Sequence, residues 1–208
     1  MATEKNRKNL IKLAECAVML ALSIVLSFIT IFKMPMGGEI TLLSMLPICL
    51  ISVKYGCGAG LSTAALYSVF QLIQGIASGN VFVYTKTIPA IIVCVLFDYL
   101  VPFTVLGLAG AFRKRGRTAI IAGIALVILV RFLCHYATGV YIWGQWAPEG
   151  MSKYLYSLVY NGQYMLPECV MTSAAAAILI NIKQIQKLLG LSFGSSGKKE
   201  PENGFPEE

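Results

Sequence analysis

Five ionisable side chains lie inside long apolar runs of this sequence. A charged group is costly to bury in an apolar environment, so such groups usually pair with one another or bind a ligand. Each is therefore a candidate for binding chemistry, with a structural ion pair as the alternative. The five candidates are Glu15, Asp98, Arg131, His135 and Glu168.

Aromatic residues are concentrated where the fifth apolar run ends and the sixth begins. They are Tyr141, Trp143, Trp146 and Tyr154. One interpretation is an aromatic belt of the kind found where helices leave a membrane. The other is a cage for a flat cationic ligand, because aromatic faces attract a cation and Asp98 would supply the countercharge. Hydrogen bonds from His135 and Asn161 would then orient a heterocyclic ligand.

Structural interpretations of the same residues remain open at this level. Asp98 could pair with Arg131 on a neighbouring helix, which would satisfy two buried charges at once. His135 lies four residues after Arg131, on the same helix face, where a hydrogen bond between helices is also an option. Glu15 could pair with Lys12 near the end of its run.

Glu168 follows Pro167, a residue type that kinks helices. It lies seven residues after Asn161, so the two side chains share a helix face. We expect Glu168 to lie deeper than the ligand site, and the sequence leaves its role open.

Composition identifies the elements that must position these residues. Of 208 residues, 57% are hydrophobic and only 13% are charged, and the mean hydropathy is +0.71. A bilayer core of about 30 Å requires about 20 apolar residues of helix per crossing. We therefore predict an all-α membrane protein, a single bundle of six transmembrane helices. The predicted spans are 10–31, 40–53, 58–76, 87–112, 118–142 and 153–185, of which the second is short.

The distribution of basic residues predicts the orientation of the bundle. Thirteen of the 17 Lys and Arg residues fall at the termini and in the loops on one side. Lys and Arg near span ends are retained in the cytoplasm, so both termini are predicted to be cytoplasmic in a multi-pass protein of the cell membrane. This topology also accounts for the net charge of +7, and no nucleic-acid partner is predicted.

The predicted domains follow from the same pattern. Residues 1–9 form a cytoplasmic segment, and residues 10–188 form the helical domain. Residues 189–208 are rich in Gly, Ser, Pro, Lys and Glu and are predicted to be a disordered cytoplasmic tail.

The predicted orientation brings the candidate residues together. Asp98 and Tyr99 fall roughly 16 Å below the outer end of the fourth span, and His135 falls roughly 10 Å below the outer end of the fifth, at 1.5 Å per residue. Tyr156 and Asn161 lie in the first turns of the sixth span. These groups are expected to converge in the outer half of the bundle.

Two further segments could serve a binding protein. The outer loop between the first two spans contains Met34, Met36, Gly37 and Gly38, a composition suited to a mobile apolar lid, although an ordinary loop is the alternative. On the first span, small residues at helical spacing, including Ala17 and Ala21, would allow another helix to approach closely, although such spacing also arises by chance.

Sequence motifs of catalysis are missing. The sequence lacks a phosphate-binding G-x-x-x-x-G-K-[ST] loop, a nucleophile elbow and an H-E-x-x-H helix. The six cysteines are scattered and are interpreted as small packing residues. We therefore expect neither enzymatic activity nor a bound metal or cofactor.

Three stretches carry a resemblance to a known family. They are Arg131-Phe-Leu-Cys-His135-Tyr-Ala-Thr-Gly139-Val-Tyr-Ile-Trp143-Gly-Gln-Trp-Ala-Pro-Glu-Gly150, Tyr156-Ser-Leu-Val-Tyr-Asn161-Gly162 and Asp98-Tyr99-Leu-Val-Pro-Phe-Thr-Val-Leu-Gly107. The chain from about residue 10 to 185 resembles the thiamine-specific substrate-binding subunits of energy-coupling factor transporters.

The resemblance implies a six-helix protein that captures thiamine outside the cell. Its implied partners are a transmembrane coupling subunit and two ATPase subunits, whose ATP hydrolysis would drive release inside. By matching positions, the resemblance implies a docking motif at Ala17 and Ala21. It also implies thiamine contacts at Asp98, Tyr99, His135, Trp143, Tyr156 and Asn161.

The chain departs from the family pattern in two places. The family often has Glu at the position of Asp98, so the charge is kept while its reach is shorter. Some members supply a tryptophan from the first outer loop, where this chain has Met34 and Met36, so a stacking contact from that loop is in doubt. Alternatives are the same scaffold binding a thiamine precursor or another vitamin, and a membrane enzyme or assembly factor.

Overall fold

The computed structural model describes residues 2–35, 37–79 and 85–193, and within helix α1 the side chain of Ala2 is not described. Helix α1 spans Ala2–Ser27, so the helix begins at the start of the predicted cytoplasmic segment and not at Leu10. Near the C-terminal end of the described residues, Leu189 is buried and Phe193 packs against the core. Residues 194–208, most of the predicted tail, lie outside the described residues.

A β-hairpin follows α1 and corrects the all-α prediction. Strands β1 (Thr30–Lys33) and β2 (Glu39–Thr41) pair antiparallel across the loop predicted to be a lid. The run Thr-Ile-Phe-Lys is rich in β-branched and aromatic residues, which favour strands. Gly37 and Gly38 have φ values of +93° and +86°, a backbone region that favours glycine.

Helices α2 (Leu46–Tyr55) and α3 (Cys57–Ala77) follow the hairpin. The ten residues of α2 rise roughly 15 Å, about half a bilayer core. All residues from Leu46 to Val53 are buried. The second predicted span is therefore a short internal helix preceded by a strand, which explains why its apolar run is short.

Helix α4 spans Ile88–Phe112 and changes its helical geometry along its length. It begins as an α-helix, forms a π-helix over Val95–Leu100, resumes α geometry over Val101–Thr104 and ends as a 3₁₀-helix over Val105–Phe112. Pro102 lies just after the π segment. A proline cannot donate to the preceding turn, so the ladder of i→i−4 hydrogen bonds is interrupted there.

Helices α5 (Arg117–Tyr141) and α6 (Lys153–Asn181) form the most extensive helix pair, and a 3₁₀ turn over Trp143–Trp146 connects them. The Ser152 hydroxyl caps α6 by accepting a hydrogen bond from the backbone N–H of Leu155. Pro167 lies inside α6, as predicted. Helix α7 (Lys183–Leu189) is the last helix of the described residues.

Glycines allow α2, α3 and α4 to pack with almost no separation. The Ser52 hydroxyl on α2 donates to the carbonyl of Gly107 and accepts from the N–H of Gly110, both on α4. A Cβ placed on Gly107 would fall 2.6 Å from the carbonyl oxygen of Gly60 on α3. Backbones can approach this closely only where side chains are missing, as in helix pairs of membrane proteins.

Within the described residues, four helices are long and apolar enough to cross a membrane. They are Thr3–Ser27, Ile88–Phe112, Arg117–Tyr141 and Lys153–Asn181. Large apolar side chains such as Leu10, Val18, Leu133 and Leu166 face outward. This pattern suits lipid as the surrounding solvent, since exposed apolar surface of this extent is unusual in water. The protein is a mostly helical membrane protein.

Glu15 pairs with a different lysine from the one that the sequence suggested. Its carboxylate contacts the Lys54 ammonium and accepts a hydrogen bond of 2.8 Å from the Tyr55 hydroxyl, so it connects α1 to α2. Lys12 instead lies over the Tyr55 ring, 5.5 Å from its centroid. Glu15 therefore has a structural role at one end of the bundle.

Candidate functional site

A cavity of about 460 Å³ opens between the hairpin and helices α3 to α6. Its volume lies within the range of about 300–1,000 Å³ typical of small-ligand pockets. The structure brings all six predicted binding residues to the walls of this one cavity. They are Asp98, Tyr99, His135, Trp143, Tyr156 and Asn161.

Asp98 lies in the π-helical segment of α4. Such bulges are frequent at functional sites because they turn side chains away from the regular helical register. Its carboxylate accepts hydrogen bonds from Trp143 Nε1 at 3.1 Å and from the Thr138 hydroxyl, and it contacts His135 Nδ1 at 3.1 Å. These three groups belong to α5 and the turn after it, so they hold the carboxylate in a fixed orientation.

The alternative pairing of Asp98 with Arg131 is not what the structure contains. His135 lies between them, because Arg131 Nε donates to His135 Nε2 at 3.3 Å. An arginine can only donate, so Nε2 of the imidazole accepts and the ring proton lies on Nδ1, which donates to Asp98. His135 is thereby assigned as neutral, and Asp98 keeps a formal charge that no arginine neutralises directly.

Arg131 occupies a buried position beside the cavity. Its guanidinium carbon lies 4.0 Å from the centroid of the Phe103 ring, a cation–π arrangement, and its Nη1 contacts the sulfur of Met45. These contacts and the hydrogen bond to His135 fix the side chain from three directions. Arg131 thus supports the imidazole from the side opposite Asp98.

Asn161 is fixed by backbone and side-chain groups around it. Its amide nitrogen donates to the carbonyl oxygens of His135 (3.2 Å) and Ser157 (3.0 Å), and its oxygen accepts from the Tyr164 hydroxyl at 2.8 Å. A Cβ on Gly139 would fall 2.8 Å from the Asn161 amide nitrogen, so glycine is what allows this approach. One lone pair of the amide oxygen remains for a ligand.

The two predicted tyrosines lie at different places on the wall. Tyr99 is next to Asp98 and packs directly against Gly75 of α3, where a Cβ would collide with its ring. Tyr156 lies one turn into α6 and packs against Tyr160, with ring centroids 5.6 Å apart. Aromatic surface therefore reaches the cavity from α4, α6 and the turn that holds Trp143.

The four aromatic residues near the junction of α5 and α6 do not all serve one purpose: some fit a ligand cage and others fit an interfacial belt. Trp143 lines the cavity, whereas Tyr141 and Tyr154 are 67% and 57% exposed and are not among its lining residues. Trp146 packs on Trp143 with centroids 5.7 Å apart but does not line the cavity. One residue of the four thus belongs to the site, and the exposed tyrosines match an interfacial belt.

The residues predicted to form a lid lie in different environments. Gly37 and Gly38 line the cavity, as part of the hairpin. Met34 is 6% exposed and packs into the hydrophobic core, and its part in a lid stays a prediction. Met36 lies outside the described residues. On α1, Ala17 and Ala21 are exposed on the outer surface.

Three cavity residues on α6 were not expected at the ligand site. Glu168 was expected to lie deeper than the site, yet it lines the same cavity, where its Oε1 accepts hydrogen bonds from Thr41 of the hairpin. Tyr160 and Tyr164 also line it. A signal was present, because Tyr156, Tyr160, Tyr164 and Glu168 recur every four residues and so share one helix face.

The cavity combines the chemical groups that bind a small cation. A carboxylate held without a direct basic partner, a neutral imidazole and aromatic walls form a site for a small, flat, positively charged molecule. The site lies inside a bundle of apolar helices. The chain is therefore a membrane protein whose cavity suits a small cationic ligand.

Comparison with known proteins identifies the family. Residues 13–188 match the family described as thiamine transporter protein (Thia_YuaJ), and the chain belongs to this family. It is similar to the thiamine transporter ThiT of Bacillus subtilis, with 31% identity over 83% of this chain and 91% of the relative. It is also similar to ThiT of Lacticaseibacillus paracasei, with 25% identity over 86% of this chain and 90% of the relative.

A solved structure shares the fold. The structure of ThiT from Listeria monocytogenes superimposes with a TM-score of 0.67 and 26% identity, covering 89% of this chain and all of the other. These relatives are named as transporters and not as enzymes. The similarity extends over nearly all described helices.

Proposed function

We propose that this protein takes up thiamine as the substrate-binding subunit of an energy-coupling factor transporter. The observation that carries the proposal is the Asp98 carboxylate, which lines an aromatic-walled cavity and has no direct ion pair with Arg131. Thiamine contains a positively charged thiazolium ring joined to a neutral pyrimidine. An aromatic cavity with one fixed negative charge matches the first ring, and hydrogen-bonding groups match the second.

Each predicted binding residue has a part in this proposal. Asp98 and the neutral His135 would flank the thiazolium, with Tyr99 and Trp143 as aromatic walls. Tyr156 and Asn161 would contact the pyrimidine from α6. The hairpin, through Gly37 and Gly38, would cover the bound vitamin, since it forms part of the cavity wall.

The proposal includes six membrane spans with both termini in the cytoplasm of a cell-membrane protein. Helix α3, with 21 residues, is long enough to cross, and the buried α2 would complete the bundle. The exposed Ala17 and Ala21 of α1 would dock a transmembrane coupling subunit. Two ATPase subunits would then supply the energy, because this chain lacks a nucleotide-binding loop.

Calorimetric titration of the detergent-solubilised protein with thiamine tests the proposal. Asp98→Asn removes the charge at constant size, and we expect thiamine affinity to fall about 100-fold, because an uncompensated buried cation costs several kcal/mol. Glu149→Gln is the matched control, since Glu149 is exposed and is not among the cavity residues. No heat of binding at micromolar thiamine would reject the proposal.

Competition separates thiamine from a precursor or another vitamin. If thiamine is the ligand, isolated pyrimidine and thiazolium fragments should both compete weakly. A precursor site would prefer one fragment to thiamine itself. Displacement by riboflavin or biotin, with no effect of either fragment, would point to a different vitamin.

A further inference from the structure

One face of α6 follows the hairpin from its tip to its base. Tyr160, Tyr164 and Glu168 are spaced four residues apart, so their side chains lie above one another on this face. All three line the cavity, and α6 is the helix that packs most closely against β2. By contrast, all four residues of β1 are exposed. The hairpin is therefore held mainly through this face, which we name the α6 seam.

Two contacts of the α6 seam lie at the turn of the hairpin. The Tyr160 hydroxyl donates to the carbonyl oxygen of Gly37 at 3.0 Å. The Tyr164 ring lies against Gly38 so closely that a Cβ there would fall 2.6 Å from a ring carbon. Tyr164 also donates to Asn161, so the seam is continuous with the ligand site.

The third contact lies at the base of the hairpin and uses a buried carboxyl group. Oε1 of Glu168 accepts hydrogen bonds from the backbone N–H of Thr41 and from its hydroxyl, the latter at 2.8 Å. Glu168 is only 3% exposed, and its Oε2 has no hydrogen-bond partner among the described residues. All of its assigned hydrogen bonds thus go to the hairpin, so in the docked state Thr41 offsets the cost of burying this side chain.

The chain just after Thr41 is strained. Leu43 has a φ of +60°, and it is the one non-glycine residue with positive φ in the described part of the chain. Its N–H bonds to the carbonyl of Thr41, two residues back, at 2.9 Å, which makes a tight turn between the hairpin and α2. A side chain in this backbone region is strained, and it persists only where surrounding contacts enforce it.

We propose that Glu168 is a positioning residue that latches the hairpin onto α6 by its hydrogen bonds to Thr41, and thereby sets how long the ligand stays in the cavity. The two states differ in a defined way. In the docked state, Thr41 satisfies the carboxylate and the strain at Leu43 is maintained. In the open state the strain relaxes, and water entering the cavity replaces Thr41 at the carboxylate. Because each state compensates the carboxylate, the hairpin can open without unfolding the bundle.

Thr41→Val is the principal test, because it removes one of the two hydrogen bonds to Glu168 and keeps the size of the side chain. It also removes the contact of the Thr41 hydroxyl with the Ser44 hydroxyl at 2.7 Å, which Glu168→Leu leaves in place. Thr172→Val is the matched control. Thr172 is buried like Thr41 but lies on α6, and its hydroxyl has no partner among the described residues. Glu168→Leu removes both hydrogen bonds between Glu168 and Thr41. If Glu168→Leu does not fold, Tyr160→Phe takes its place, because it removes the hydrogen bond from Tyr160 to the hairpin residue Gly37.

The first measurement is amide hydrogen exchange of the hairpin in ligand-free protein. The described hairpin residues, 30–35 and 37–41, should exchange about tenfold faster in Thr41→Val than in the wild type or in Thr172→Val, since a hydrogen bond to the Glu168 carboxyl group is lost. Exchange in α5 should not change. Unchanged exchange in the hairpin for both Thr41→Val and Glu168→Leu would overturn the latch.

The second measurement is the rate of thiamine dissociation by stopped-flow fluorescence, and this part rests on the proposed function. Thr41→Val should raise the dissociation rate about tenfold, while Thr172→Val should leave it unchanged. Faster exchange with unchanged dissociation would overturn the effect on ligand residence. If wild-type protein does not bind thiamine, the proposed function fails, whereas the exchange experiment still decides whether Glu168 holds the hairpin.

Discussion

The indole nitrogen of Trp143 donates a hydrogen bond to Oδ2 of Asp98 at 3.1 Å, and it does so across two elements. Asp98 lies in the middle of α4, whereas Trp143 opens the 3₁₀ turn after α5. This contact places an aromatic ring beside the carboxylate, which is the arrangement that a cation requires. It also makes the carboxylate a junction between α4, α5 and the turn that leads to α6.

Trp143→Phe is expected to weaken thiamine binding about tenfold. The ring remains, but the hydrogen bond that orients a charged acceptor is lost. Trp143 and Trp146 are the two tryptophans of the chain, so fluorescence distinguishes them. Thiamine should quench emission in Trp146→Phe, which keeps Trp143, and should cause little quenching in Trp143→Phe. The reverse pattern would place the ligand outside the cavity.

His135 is expected to be neutral with its proton on Nδ1. It is the single histidine of the sequence, so ¹⁵N NMR of histidine-labelled protein reports this residue alone. Arg131→Met removes the donor to Nε2, and the preference for the Nδ1 tautomer should weaken. A proton on Nε2 in the wild type would contradict the assigned hydrogen bonds with Arg131 and Asp98.

Gly107→Ala is expected to lower the free energy of unfolding by about 1–3 kcal/mol, since overpacking at a tight backbone contact forces the helices apart. The added Cβ would fall 2.6 Å from the carbonyl oxygen of Gly60. Gly58→Ala on α3 is the control, because no described atom outside its own helical neighbourhood lies within 4 Å of a Cβ there. Thermal unfolding in detergent measures both variants. Equal melting temperatures would show that α3 and α4 are less closely packed than described.

Ala17→Leu is expected to abolish thiamine uptake by cells while leaving thiamine binding intact. A large side chain on this exposed face of α1 would prevent close approach of a coupling subunit, and the cavity lies elsewhere. Val18→Leu, also at an exposed position of α1, is the control. Uptake assays and calorimetry together separate the two effects. Normal uptake by Ala17→Leu would remove Ala17 from the docking surface.

The sequence was sufficient to predict that this protein lies in a membrane and where most of its long helices fall. Apolar runs with few charges are local features, and their lengths match a bilayer, so α4, α5 and α6 fall within a few residues of the predicted spans, whereas α1 begins eight residues before its predicted span. The relative position of Tyr156 and Asn161 could likewise be predicted, because both lie on the same helix, α6. The six candidate residues line one cavity, and their depth in the membrane and their role in binding thiamine stay predictions.

Only the tertiary structure decided how these residues meet. The π segment that presents Asp98, the neutral state assigned to His135 and the contact of Glu168 with Thr41, 127 residues away, all depend on neighbours distant in sequence. The hairpin was missed because its strands are too short to produce a clear alternating pattern, and its docking requires α6. Apolar periodicity is imposed by the surrounding lipid on each helix separately, whereas hydrogen bonds between helices arise only once the bundle has brought the partners together.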